Sequence, residues 1–207
     1  MLNSHIFRLI VVTLALSVMF LAGCRGTSEN ARFYKLSAIL SSDEAAKPAG
    51  QGVAIGIGPI KFPDHLDRPE IVTRTSRNAL EVGDFDRWAG SLREDFSRVL
   101  TENLSILLST DYVFVFPWGK TIPIDYQVKV EVSRFDGELG KSVTLIARWS
   151  ILESGEKKTL KAVRRSSISK STEDKSYEAM VAALSRTVED LSREIAETIK
   201  TLSQKGK

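Results

Sequence analysis

Residues 53–63 read VAIGIGPIKFP. Val53, Ile55 and Ile57 alternate with Ala54, Gly56 and Gly58, which describes a strand with one bulky face and one nearly bare face. A bare face weakens a strand unless another backbone, a helix or a ligand approaches it closely. Pro59 and Pro63 remove two ladder donors, so pairing thins there, at a sheet edge or a strand end. DHLDRPEIVTRT follows at residues 64–75, where Arg68-Pro69 is an extended or turn dipeptide leading into a short strand, Ile71 to Thr75. A hairpin turn at Ser76-Arg77-Asn78 returns the chain through Ala79 to Val82. Asp84 or Asp86 is then expected to cap a helix carrying Arg87 and Trp88.

Working outward from there, Trp88, Leu92, Phe96, Val99, Leu100, Leu104 and Leu107 recur at three- and four-residue spacing and predict a helix from about Arg87 to Leu108. Its other face carries Arg93, Glu94, Ser97, Arg98 and Thr101 and reads as wet. Tyr112 to Phe116 (YVFVF) is apolar on both faces, which places it centrally in a sheet or under a helix. Tyr126, Val128, Val130 and Val132 alternate with polar residues as a half-buried strand. After a turn at 136–140 the return strand buries Val143, Leu145, Ala147, Trp149 and Ile151, and a third strand runs from about Thr159 to Ser169. SKSTEDKS supplies caps for a last helix from about Asp174 to Leu202. Its seam, from Tyr177 through Val188 to Leu202, is close to a heptad repeat; Ala182, Ala183 and Ala196 beside it favour packing inside the domain over a coiled coil.

In the other direction, Phe33 to Leu40 reads as a first strand and Ser41 to Gly52 as a polar loop. The fold class is therefore α+β: a twisted, mostly antiparallel sheet with two long amphipathic helices packed on one face. The element order is four strands, a helix, four strands and a helix, with the two strands before the first helix expected to be poorly formed.

Met1 to Arg8 carries one arginine, Leu9 to Phe20 is apolar except for Thr13 and Ser17, and Leu21-Ala22-Gly23-Cys24 follows. This pattern is a secretory signal peptide over residues 1–23, and LAGC resembles a bacterial lipobox. Cys24 is the single cysteine of the 207 residues, so it builds no internal disulfide and is the expected lipidation site. Residues 24–32 then form a lipidated tether and residues 33–203 one periplasmic domain. Arg25 stands where an aspartate would resemble an inner-membrane retention signal, which favours the outer membrane of a Gram-negative host. A net charge of +3 is a small excess and does not argue for nucleic acid.

Beyond the signal peptide there is one histidine, His65, in a proline-bounded loop. A Ser/His/Asp or Cys/His nucleophile would have to use it, and no GxSxG accompanies it. Asp64, His65 and Asp67 are poor material for a metal site. Gly56–Gly58 opens no helix and lacks phosphate-loop spacing. No cofactor, metal or catalytic residue is assigned, and the chain reads as a non-enzyme.

The ordered set GPIKFP, DHLDRPEIV and DRWAGSL, with FYKL at Phe33–Leu36 and RFDGELGKSVTLIARWSI at Arg134–Ile151, resembles the PqiC-type auxiliary lipoproteins of bacterial ABC-type lipid transport systems. The resemblance covers essentially the whole mature chain. It implies work with a permease-like membrane subunit and a periplasmic protein of the MCE (mammalian cell entry) class that carries lipid across the envelope. The expected role is docking such a system from the outer membrane, with self-association into a closed ring. A lipid carrier sheltering acyl chains between helices and sheet is the alternative, and it requires a continuous apolar cavity. The candidate docking surface is the loop from Pro59 to Pro69, with Phe62 and Leu66 as apolar anchors and Arg68 as a planar donor. The competing reading has that loop cover the end of the sheet, with Leu66 buried and Arg68 paired internally.

Overall fold

A computed structural model describes residues 29–40, 52–119, 121–155 and 158–205. Ile55–Lys61 forms strand β2, with Ile55 and Ile57 fully buried, as the alternation requires. It lies parallel between β5 (Val113–Val115) and β6 (Tyr126–Glu138). β6 continues antiparallel into β7 (Ser142–Glu153) and β8 (Thr159–Ser171), so the five-stranded order is β5-β2-β6-β7-β8. The five alternate residues of β7 from Val143 to Ile151 are all buried, as expected. YVFVF is not central. It ends the sheet at its β5 edge, with Tyr112, Val115 and Phe116 about half exposed, because no further strand among the described residues covers it.

The bare face of β2 accepts a side chain, not a helix. A Cβ added to Gly56 would sit 2.6 Å from the Trp118 ring, and one on Gly58 would sit 2.8 Å from the Cβ of Phe116. The missing side chains leave room for two aromatic residues that follow β5.

A second sheet holds β1 (Arg32–Tyr34), β4 (Leu80–Trp88) and β3 (Glu70–Arg74) in that order, where a single sheet was expected. Pro63 and Pro69 bracket a 3-10 turn at Asp64–Leu66 that interrupts the ladder between β2 and β3. The hairpin turn at 76–78 is present, but β4 is nine residues long and well paired, so these strands are not weak. Trp88 belongs to β4, where its N–H donates to Pro69 O at 2.7 Å. Helix α1 starts later, at Leu92–Leu108, and its cap is Ser91, whose Oγ accepts from Glu94 N. Asp86 cannot serve as a cap because its carboxylate is buried and already holds Arg32 and Tyr34.

Helix α2 spans Tyr177–Lys205, and Ser176 Oγ accepts from Ala179 N at its start. Its seam from Val181 to Ile199 is buried against α1 and the inner faces of β6, β7 and β8, so the heptad-like pattern serves this domain's own core. Trp149, Phe96, Leu100, Leu104, Leu145 and Leu184 are among the side chains that fill the space between helices and sheet. Ala31–Lys207 is one compact unit and contains every core residue, which is the condition for independent folding.

The expected first strand stops at Tyr34. Beyond it, backbone groups are satisfied by helix side chains: Leu36 N donates to Asp95, Ser37 N to Ser185 Oγ and Ile39 N to Asn103 Oδ1. Arg98, read as a wet-face residue, donates to Leu36 O at 2.7 Å and pairs with Asp95 and Glu102. It therefore fastens this segment to α1. We expect Arg98→Ala to destabilise the domain by about 1–2 kcal/mol, against under about 0.5 for an idle surface site. Urea denaturation checks this; a loss within the smaller figure would return Arg98 to the wet face.

Candidate functional site

The proline-bounded loop is structural cover. Leu66 is 3% exposed and sits in the main core. Phe62 packs edge-on against Phe96 at 5.2 Å and Phe135 at 6.1 Å between ring centroids. Neither is a free anchor, because the turn at Asp64–Leu66 folds the apolar side of the loop back onto the helix–sheet core. Arg68 donates to Glu70 at 3.0 Å, and the neighbouring Arg93 pairs with Asp67. The hydrogen bond from Arg68 holds the Glu70 carboxyl below its ordinary range. His65 is exposed, and among the described residues no His, Cys, Asp or Glu group is placed to hold a metal ion. Cys24 lies outside the described residues.

Two buried carboxylates organise the second sheet. Asp136, with a side chain 1% exposed, receives Arg74 Nη2 at 2.7 Å and Arg134 Nε at 2.8 Å. Burial alone would raise its pKa, but the hydrogen bonds from the two arginines win and leave it lowered. Asp86 is likewise lowered, chiefly by its hydrogen bond from Arg32. Burial and then the bond to Asp86 push the Tyr34 phenol up to about 12. Each carboxylate is fully committed to its partners, which is the chemistry of a structural tie rather than of an acid–base site.

A surface open to a partner is a groove of about 450 Å³ between α1 and the β5 edge. Ile57, Ile60, Val115 and Phe116 form its apolar floor, and Arg93 and Glu102 stand on its rim. It opens there because β5 is a three-residue edge strand that pairs with β2 on one side and, among the described residues, with no strand on the other. The apolar character of YVFVF on both faces was the signal for this site, and its reading as an interior strand concealed it. A short apolar edge beside a helix can take up an extended or helical segment of another chain.

Two solved structures share the fold. A crystal structure of an uncharacterized protein has a TM-score of 0.65 at 22% identity, over 83% of this chain and 99% of that one. Protein XCC0632 from Xanthomonas campestris has a TM-score of 0.66 at 15% identity, over 84% of this chain and 99% of its own. In sequence, the intermembrane transport lipoprotein PqiC of Escherichia coli is 25% identical over 146 residues, which are 70% of this chain and 75% of that protein. The same figures hold for PqiC of Shigella flexneri. The family model for the ABC-type transport auxiliary lipoprotein component matches residues 34–196, from β1 to the buried seam of α2, and the chain belongs to that family.

Proposed function

We propose that this chain is an outer-membrane-anchored periplasmic lipoprotein subunit that docks an MCE-type, envelope-spanning lipid transport system through the groove at β5. The observation that carries this reading is the contrast between two apolar regions. The layer between helices and sheet, where a carrier would shelter acyl chains, is filled by Phe96, Leu100, Leu145, Trp149 and Leu184. The groove, by contrast, is open along its β5 side, where Val115 is 45% and Phe116 51% exposed beside the buried Ile57 and Ile60. A protein whose free apolar surface lies at an edge strand acts by association. The similar PqiC proteins are named intermembrane transport lipoproteins, which supports a role in transport between membranes. Partners on this reading are the MCE-domain protein and its permease subunit, with self-association around a common axis.

Val115→Asp with Phe116→Ser in Ala31–Lys207 should abolish binding to the MCE-type protein of the same system while leaving the thermal melt unchanged. Sedimentation of the same variant reports self-association. Full binding by a folded variant removes the groove from the reading. The anchor has its own test: Cys24→Ser in the full chain should end incorporation of labelled palmitate, and equal incorporation would remove the basis for lipid anchoring.

A further inference from the structure

The face of the five-stranded sheet turned away from the helices takes no part in the docking just argued. Pairing registers place Lys61, Glu131, Arg148 and Arg165 in one row across it, and Lys129, Ser150 and Val163 in the next. A third row runs Gly56, Gln127, Leu152, Leu160, with Trp118 against Gly56 at its β2 end. Leu160 is 58% and Val163 55% exposed, in adjacent rows of β8. Lys61, Lys129, Arg148 and Arg165 are all exposed. Among the described residues none of the four has an ion-pair partner, and Glu131 is the one acid standing in their rows. Lys158 reaches the same face, where its ammonium donates to Gln127 Oε1 at 2.8 Å.

We propose that this face lies on an anionic phospholipid bilayer. Trp118, Leu160 and Val163 enter the headgroup layer while Lys129, Arg148 and Arg165 meet the phosphates. Three features favour a bilayer over an acidic polypeptide. The face is an open sheet surface that suits a broad partner, the cations have no ion-pair partner among the described residues and can answer negative charge, and an indole sits beside the apolar band. A cation held at such a surface contributes about a fivefold gain in partition, and buried apolar area adds to it. The inference uses neither Cys24 nor the β5 groove, so it and the docking proposal fail separately.

The test is co-sedimentation of Ala31–Lys207 with phosphatidylcholine vesicles, with and without about 30% phosphatidylglycerol. Binding should require the anionic lipid, shift Trp118 emission to shorter wavelength, and weaken steeply from about 50 to about 300 mM salt. The triple variant Lys129→Gln, Arg148→Gln, Arg165→Gln should lose about a hundredfold in partition with its melt unchanged. The salt titration on the unaltered domain needs no variant to fold. Equal partition onto neutral vesicles, full binding by the folded triple variant, or capture by polyglutamate without vesicle binding would each overturn the proposal.

Discussion

Phe96→Ala should lower the unfolding free energy of Ala31–Lys207 by about 3–5 kcal/mol, as for large-to-small changes at closed core sites. Phe96 is fully buried on α1 and makes two edge-on aromatic contacts, to Phe62 and Phe135, which also meet each other edge-on. Phe62 comes to it from the end of β2, and Phe135 comes from β6 at 5.5 Å between centroids. Removing the ring deletes transfer energy and leaves a cavity that α1 and β6 cannot jointly close, since both are held elsewhere by long ladders or seams. The loss should extend to the proline-bounded loop, because Phe62 is its inward contact. Faster proteolysis near Asp64–Asp67 should therefore accompany the shift in urea midpoint. A loss below about 1 kcal/mol would mean that the site repacks and that the aromatic trio is not a unit.

Asp136→Ala should destabilise the domain by about 3–5 kcal/mol, because it leaves Arg74 and Arg134 without the carboxylate that neutralises them. Arg74 is 21% exposed and its fork is spent on Asp136, so little water reaches the charge left behind. The hydrogen bonds from the two arginines outweigh burial and lower the folded pKa of Asp136. The sign follows: stability from this group is fully present above its unfolded pKa, near the ordinary carboxylate value of about 3.9, and is lost as pH falls through the lower folded value. The wild-type domain should therefore lose stability on acidification below about pH 4. Asp136→Asn should flatten that part of the profile while costing stability at neutral pH. Denaturation at a series of pH values checks both; parallel profiles for wild type and Asp136→Asn would deny the carboxylate its role.

The candidate site was only half legible in the sequence. Apolar residues at 62 and 66 in a proline-bounded loop look alike whether they face a partner or the core, because local pattern reports hydrophobicity and not which surface covers it. The 3-10 turn at Asp64–Leu66 turned them inward. YVFVF erred the other way, since a strand apolar on both faces is interior only if both neighbouring strands exist, and β5 has one. Trp88 was drawn into the helix because its spacing fits the stripe of α1, but its N–H is held by Pro69 in the ladder of the second sheet.

By itself the sequence determined the element order, the buried faces of β6 and β7, the seam of α2 and the isolation of Cys24. These follow from the two- and 3.6-residue periods, which orient side chains through local backbone geometry, and from simple counting. Only the tertiary structure decided the split into two sheets, the edge position of β5, the pairing of Asp86 with Arg32 across 54 residues and that of Asp136 with Arg74 across 62. Such partners are chosen by chain closure over long separations, where many charged residues compete and no local period distinguishes them.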